Sequence, residues 1–591
     1  MMEWIMANMA PIMFASLALF LISGIPVAFA LASCGLLFAF IGIELDMLPP
    51  SLMQALPLRV LGIMANETLL AIPFFTFMGL VLQRSGMAED LLETVGQVFG
   101  AMRGGLALAV VVVGSLLAAT TGVVAASIIA MGLISMPIML RYGYDRRVAS
   151  GVITAAGSLA QVVPPSLVLI VMADQLGRSV GEMYAGALLP ALMLIGAYAA
   201  LVIVLAILFP KMLPALPPEA LIYKEPDGGS GLRSLALLAL VSVGAGWLAL
   251  RFYPLVLQAV DRNVDAPKDE LVMVALAGGV LFAFLAALVD SVTRLGLLST
   301  IARRVAFVLI PPLLLIFLVL GTIFVGIATP TEGGAMGAVG ALVLAVVRRR
   351  LDINQCMDAL LATTKLSTFV MFILLGATVF SLTFQAVDGN LWVEHLFDQL
   401  PGGSTGFLIA VTAMVFILGF FLDFFEIAFI LLPLLAPIAD KLGIDLIWFG
   451  VLIGINLQTS FLTPPFGFAL FYLRSVAPAE DYVDAESGKT IARVTTGQIY
   501  AGAVPFIAIQ VVLLGLIIAF PQLVIGDRAF EQKIKLAPGV ITDRMRNLQP
   551  GGGYKAPEMD MDALFGTPPG TAPAPEPAPA MPPEPAPAEK R

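Results

Sequence analysis

Two short stretches carry the residue types most able to do chemistry. They read Gln161-Val162-Val163-Pro164-Pro165-Ser166 and Thr459-Ser460-Phe461-Leu462-Thr463-Pro464-Pro465. Proline lacks an amide donor and stops the preceding turn from closing. Each Pro-Pro pair therefore predicts a broken helix with free carbonyls and half-helix ends, groups that coordinate cations and meet anions when held inside a membrane. One Pro-Pro in an apolar helix is only a kink. Two matched breaks, each beside Ser or Thr, point more specifically to an ion or substrate site. The neutral oxygens available to it are Ser158, Gln161, Ser166, Asn456, Gln458, Thr459, Ser460 and Thr463.

Further polar groups interrupt other apolar segments. Thr120, Thr121 and Gly122 form one candidate hairpin tip, with Ser127 farther along. Asp423 and Glu426 lie in a second, spaced i, i+3 and so on one helical face. An acid kept charged in mid-membrane costs about 2.5–3.5 kcal/mol or more, which favours a functional role. A water-exposed hairpin mouth explains the same pair, and both readings stand. Ala328-Thr329-Pro330-Thr331-Glu332 is another break, where Thr331 and Glu332 could cap a helix or meet substrate.

Enzyme motifs are missing from the sequence. His395, the single histidine, has no metal-ligand companion, and Cys34 and Cys356 have no redox or metal spacing. Gly402-Gly403-Ser404-Thr405-Gly406 lacks the Gly-Lys-Ser/Thr ending of a phosphate loop. With no ATP site, work must come from an ion gradient or a partner. No basic stripe suggests nucleic acid.

The elements that must position these groups are membrane helices. The chain has 591 residues, 59% hydrophobic and 12% charged, against about 45–50% and about 25% in soluble domains. Lipid is the natural solvent for such a chain, and its backbone there must be helical. Apolar segments fall at 11–43 (broken at Gly24-Ile25-Pro26), 69–82, 106–140, 148–173, 185–209, 232–250, 271–289, 305–347 (also broken), 366–384, 407–439, 446–473 and 499–523. The N-terminus lacks the basic flank of a signal peptide. The Pro/Ala-rich end, 526–591, reads as a disordered tail.

A shift of 300 positions places Pro137-Ile138 on Pro437-Ile438, Gly143 on Gly443, Asp145 on Asp445, and Pro164-Pro165 on Pro464-Pro465. The chain thus holds two repeats, 9–215 and 305–525, joined by a linker, 216–304, with two extra apolar spans. Lys and Arg gather on the cytoplasmic side. The loops 84–103 (Arg84 and Arg103, with Glu89, Asp90 and Glu93 between them) and 141–147 hold the arginines, while their counterparts 388–398 and 440–445 are acidic or mixed. Conversely 11–43 has acidic flanks, and 305–347 is bracketed by Arg303-Arg304 and Arg348-Arg349-Arg350. The bias swaps at every pair, predicting inverted repeats. Segments 106–140 and 407–439 then become re-entrant hairpins, although two ordinary spans with a short turn would also fit their length. The expected fold is an all-α polytopic membrane protein with inverted repeats, re-entrant hairpins and broken helices.

These residues resemble a known family. Segments 321–342 and 418–477, with Phe421-Leu422-Asp423, Leu442-Gly443-Ile444-Asp445 and Leu462-Thr463-Pro464-Pro465, are similar to the large membrane subunit of tripartite ATP-independent periplasmic (TRAP) transporters. Gly24-Ile25-Pro26-Val27-Ala28, Arg103-Gly104-Gly105 and Pro164-Pro165-Ser166 extend the likeness into the first half. The resemblance implies an elevator-type, sodium-driven permease of the bacterial inner membrane. It also implies a small four-helix membrane subunit, a periplasmic substrate-binding protein and organic acid substrates. No cofactor is implied beyond the coupling Na+.

The family's first tip has Ser-Gly-Ser followed by Asp; here Thr121-Gly122-Val123 and Ser127 stand instead, so Val123 offers no side-chain ligand. By the resemblance, sodium also draws on broken helices, offered here by Ser158, Gly376, Thr378, Thr459 and Thr463. The two extra spans within 226–290 and the string Phe466-Gly467-Phe468 suggest a branch with an inserted pair of helices. A 2-oxo acid or other monocarboxylate is the expected substrate. A stand-alone ion-coupled anion carrier is the alternative, and an intramembrane enzyme or scaffold the different-class one.

Overall fold

A computed structural model describes residues 2–223, 225, 231–259, 268–294, 296–324, 326–398, 400–484 and 487–526. The expected tail, 526–591, lies outside them apart from its first residue. The first half runs α1 (Met2–Ala7), α2 (Met9–Ile22), α3 (Val27–Glu44), α4 (Ala55–Met64), α5 (Ala71–Arg84), α6 (Met87–Phe99), α7 (Gly105–Thr121), α8 (Val124–Arg141), α9 (Arg146–Ser158), α10 (Leu167–Gln175) and α11 (Val180–Leu208). The linker supplies α12 (Leu232–Ala259) and α13 (Lys268–Thr293). The second half runs α14 (Thr300–Phe324), α15 (Pro330–Val347), α16 (Ile353–Ala386), α17 (Gly389–Asp398), α18 (Gly403–Leu418), α19 (Phe424–Lys441), α20 (Leu446–Leu462), α21 (Phe468–Val476), α22 (Thr496–Ala519) and α23 (Gln522–Ile525). A two-stranded ribbon, β1 (Tyr482–Val483) with β2 (Thr490–Ile491), sits between α21 and α22. Among the described residues nine helices are long and apolar enough to cross a membrane.

The repeat identities are helix punctuation. Gly143 and Gly443 take φ of 82° and 70° just past the ends of α8 and α19, the left-handed turn that stops a helix and favours glycine. Asp145 then caps α9 by accepting from Arg147 N at 2.8 Å, and Asp445 caps α20 by accepting from Ile447 N and Trp448 N, both at 2.9 Å. α8 and α19 span the same positions shifted by 300, 124–141 and 424–441. Sequence similarity survives where a cap or turn allows few residue types.

The halves are packed reciprocally. α3 lies along α16 and α5 along α15; α8 touches α21 and α10 touches α19; α9 packs on α22 and α11 on α20. Each pair is the other with its halves exchanged, the signature of a two-fold relation. With the swapped loop charges, this is an inverted repeat.

Four helices escape a hydropathy reading: α1, α4, α6 and α17. α6 carries Glu89, Asp90 and Glu93 on one side of a short amphipathic helix. One site expectation needs correction. Gly376 and Thr378 do not lie in a broken helix, because α16 runs unbroken from Ile353 to Ala386. A Cβ on Gly376 would sit 2.4 Å from the Ala28 carbonyl oxygen, so this glycine is a notch for the α3 crossing. Thr378 Oγ1 donates to its own helix at Leu374 O, 2.8 Å away.

Candidate functional site

The two breaks form as expected. α9 ends at Ser158, a single 3-10 turn covers Leu159–Gln161, and α10 begins only at Leu167. α20 ends at Leu462 and α21 begins at Phe468. Pro164-Pro165 and Pro464-Pro465 are both cis peptides. The helices meet directly: Gln458 Nε2 donates to Ser158 Oγ at 3.2 Å. Ser158, Gln161, Ser166, Asn456, Gln458, Thr459 and Ser460 are all fully buried.

Most hydroxyls here are turned back on the main chain. Ser158 donates to Ala155 O (2.9 Å), Ser166 to Gln161 O (2.8 Å), Thr459 to Ile455 O (2.9 Å) and Thr463 to Thr459 O (2.8 Å). Each keeps at least one oxygen lone pair free, Ser158 having given one to Gln458 Nε2, which suits a cation seeking neutral oxygens. The amides are less satisfied. Both polar atoms of the Gln161 side chain have no protein partner, nor do Gln458 Oε1 and Asn456 Oδ1. Asn456 is held by a bond from Nδ2 to Thr412 O at 2.8 Å. A buried unpaired amide costs about 1–3 kcal/mol. Several of them at two helix breaks make a polar locus ready for a ligand.

The hairpin tips lean on these breaks. In the first, α7 ends at Thr121, Gly122 turns with φ of 59°, and α8 starts at Val124. A Cβ on Gly122 would touch Leu167 at the start of α10, and one on Gly79 of α5 would lie 2.5 Å from Thr121 Cα. The tip is thus enclosed by protein, the condition for irregular backbone at membrane depth. Thr121 Oγ1 and Ser127 Oγ lie 2.6 Å apart, and Thr120 and Thr121 both donate to Leu117 O. The family-implied pair, Thr121 and Ser127, is therefore brought together.

The second tip, 419–423, packs on α20. Ser460 Oγ donates to Phe416 O at 2.8 Å, and a Cβ on Gly419 would meet that hydroxyl at 2.6 Å. Asp423 and Glu426 form a capping box for α19: Asp423 Oδ1 accepts from Phe425 N (2.5 Å) and Glu426 N (3.4 Å), while Glu426 Oε2 accepts from Asp423 N (2.9 Å). The amides at the helix start offset these charges. Thr329 and Glu332 form the same box at α15, and Thr331 Oγ1 donates to Glu67 O at 2.5 Å. Thr329 and Glu332 are exposed, so the three residues fix a helix start outside the break cluster.

One participant carries no sequence signal of its own: Tyr184 of α11 donates to Ser166 O at 3.4 Å. Phe421 and Phe466 approach to 5.5 Å between ring centroids and stay substantially exposed, 63% and 46%. Pro164 and Pro165, by contrast, are buried. Access to the two breaks is unequal. Among the described residues no group of three or more His, Cys, Asp or Glu converges as a metal site.

Comparison with known proteins agrees with this architecture. Residues 14–226 and 255–523 match the family model described as tripartite ATP-independent periplasmic transporter, DctM component. The chain is 29% identical over 432 residues to the C4-dicarboxylate TRAP transporter large permease protein DctM of Pseudomonas aeruginosa, covering 72% of this chain and 82% of that one. It is 25% identical to the isethionate TRAP transporter permease protein DctMQ of Oleidesulfovibrio alaskensis, over 80% of this chain and 61% of that one. To the 2,3-diketo-L-gulonate TRAP transporter large permease protein YiaN of Escherichia coli it is 24% identical, covering 77% and 87%. The chain belongs to the DctM family, the large multi-pass inner-membrane permease of tripartite transporters completed by a small membrane subunit and a periplasmic binding protein.

Proposed function

We propose that this permease imports a small organic acid, a 2-oxo acid or other monocarboxylate, by coupling its entry to sodium in an elevator cycle. One observation carries the reading: two broken helices from opposite halves touch at Ser158 and Gln458, beside the orphaned amide of Gln161. In this scheme Na+ takes neutral oxygens from Thr121, Ser127, Ser158, Thr459 and Thr463 and from the carbonyls freed by the breaks. The Gln161 amide N–H group and the uncapped start of α10, where the Ser166 side chain makes no cap, offer donors to a carboxylate.

The relatives' names support the substrate class. A C4-dicarboxylate, isethionate and 2,3-diketo-L-gulonate are all small organic anions. Reciprocally packed halves supply two matched arrangements of one site, as alternating access by rigid-body movement requires.

The test is uptake into proteoliposomes holding this chain and its small subunit, with and without the binding protein, under an imposed sodium gradient. Uptake of a labelled 2-oxo acid should need both sodium and the binding protein. Unchanged uptake in sodium-free, proton-clamped buffer would overturn the coupling. Unchanged uptake without the binding protein would mark a stand-alone carrier.

A further inference from the structure

A large cavity lies far from the breaks in sequence. It is a groove of about 1080 Å³ walled by α13, α14 and α15, with Phe284, Pro311, Leu315, Leu318 and Val343 on its sides. At about 30 Å³ per water-sized unit, the groove of about 1080 Å³ accommodates on the order of 35 methylene-sized groups. Two acyl chains are of that size. Its floor is the close approach of α14 and α15, where a Cβ on Gly340 would meet Leu315 Cδ1 at 2.4 Å. One wall, through Phe284, belongs to α13. The groove therefore depends on this linker helix as well as on the second repeat.

The mouth is built of arginines. Arg303, Arg304 and Arg348 line it, and Arg350 stands close by. The Asp90 carboxylate is shared among Arg304 (3.8 Å), Arg348 (3.4 Å) and Arg350 (3.2 Å). Glu93 lies 3.8 Å from Arg304 and accepts from Tyr223, and Asp290 holds Arg303 at 3.0 Å. Glu225 is spent on the Thr300 amide. Each guanidinium has five N–H donors, more than these carboxylates satisfy. The Nε atoms of Arg303 and Arg304 are buried without an acceptor. A phosphodiester brings the missing anionic oxygens in a geometry that arginine matches.

Placement agrees. Arg303-Arg304 opens α14 and Arg348 follows α15. Clustered arginines mark the cytoplasmic side, the leaflet where anionic headgroups attract basic pockets between helices. We propose that this groove holds an anionic phospholipid, its phosphate at Arg303, Arg304 and Arg348 and its acyl chains against α13, α14 and α15. The lipid then mortars α13 to the second repeat.

Native mass spectrometry of the full chain in mild detergent, titrated with phosphatidylglycerol or phosphatidylcholine of matched chains, tests this. Phosphatidylglycerol should be retained preferentially. Arg304→Gln removes one headgroup contact and should lower that retention roughly fivefold. Val343→Trp fills the groove without touching the mouth and should lower it as well. An unchanged unfolding temperature in lipid-free detergent controls for folding, and either variant decides alone. Equal retention of both lipids, or full retention by Val343→Trp, overturns the proposal. Displacement of the lipid by the co-purified small subunit also overturns it, and makes the groove a protein docking surface.

Discussion

Gln458 Nε2 donates to Ser158 Oγ at 3.2 Å, and the two positions are 300 residues apart, the same shift that superposes the repeated Pro-Pro breaks. A residue that touches its own counterpart sits on the two-fold axis relating the halves. The breaks are therefore central by symmetry. A polar pair buried between membrane helices contributes about 0.6 kcal/mol on average and at most about 1.7. A double-mutant cycle of Ser158→Ala and Gln458→Leu, read by thermal unfolding in detergent, should give a coupling in that range. Loss of uptake much greater than the loss of stability would place the pair in transport. Parallel loss would leave it as packing.

Gln161 predicts the opposite balance. Its amide is fully buried, and neither of its polar atoms has a protein partner. Gln161→Leu removes an orphan that costs about 1–3 kcal/mol, so the ligand-free protein should unfold at a higher temperature. Substrate uptake should fall. Stability gained while function is lost is the mark of a site that tolerates strain for its ligand. A less stable, fully active Gln161→Leu protein would remove Gln161 from the site.

The acids of the second tip separate a cap from a coupling group. Glu426→Gln keeps an oxygen able to accept from Asp423 N and should leave both stability and uptake near normal. Asp423→Ala strips the cap from Phe425 N and Glu426 N and should cost about 1 kcal/mol. If Glu426→Gln abolishes uptake while folding is intact, its charge serves transport, and capping is incidental.

Much of this architecture is legible because local rules constrain it. Gly143, Asp145 and their partners at 443 and 445 are recognisable as a stop and a cap, and they align two halves whose apolar residues have diverged. Pro164-Pro165 and Pro464-Pro465 announce the breaks for the same reason. Packing roles are not local. Gly376 looks like a free backbone ligand in sequence, yet it exists for the Ala28 carbonyl, over 300 residues away along the chain. Tyr184 reaches the break region only through tertiary structure, and nothing in its neighbours marks it. α6 hides because its acids lower the average that hydropathy reads, while the same acids meet arginines of the other half. At Asp423 and Glu426 the sequence allows a functional acid pair or a water-exposed hairpin mouth, and the structure adds a third role, a capping box at the start of α19.

Unequal access to the breaks can be read by thiol chemistry. In a Cys34→Ala/Cys356→Ala background, Phe466→Cys replaces a 46% exposed side chain and Ser166→Cys a fully buried one. A polar maleimide should modify the first quickly and the second slowly. Comparable rates would mean that the two breaks are equally open in the membrane, and the asymmetry would be lost.

The loop between α21 and α22 braces the first hairpin, and acid should release it. Arg141, the last residue of α8, reaches Asp484 beside the β1–β2 ribbon, with Nε at 3.0 Å from Oδ2 and at 3.2 Å from Oδ1. Hydrogen bonds from the Ser487 side chain and amide, followed by the Arg141 guanidinium, hold the Asp484 carboxyl below its ordinary value of 3.8. A group depressed on folding stabilises fully above its unfolded value and loses that contribution as pH falls through the folded one. The brace should therefore be intact at neutral pH and weaken only below about 4. Asp484→Asn should lower the unfolding temperature at pH 7, and the gap from the parent protein should close on acidification. A gap that persists unchanged at low pH would show that Asp484 acts through its shape and hydrogen bonds, with its charge irrelevant.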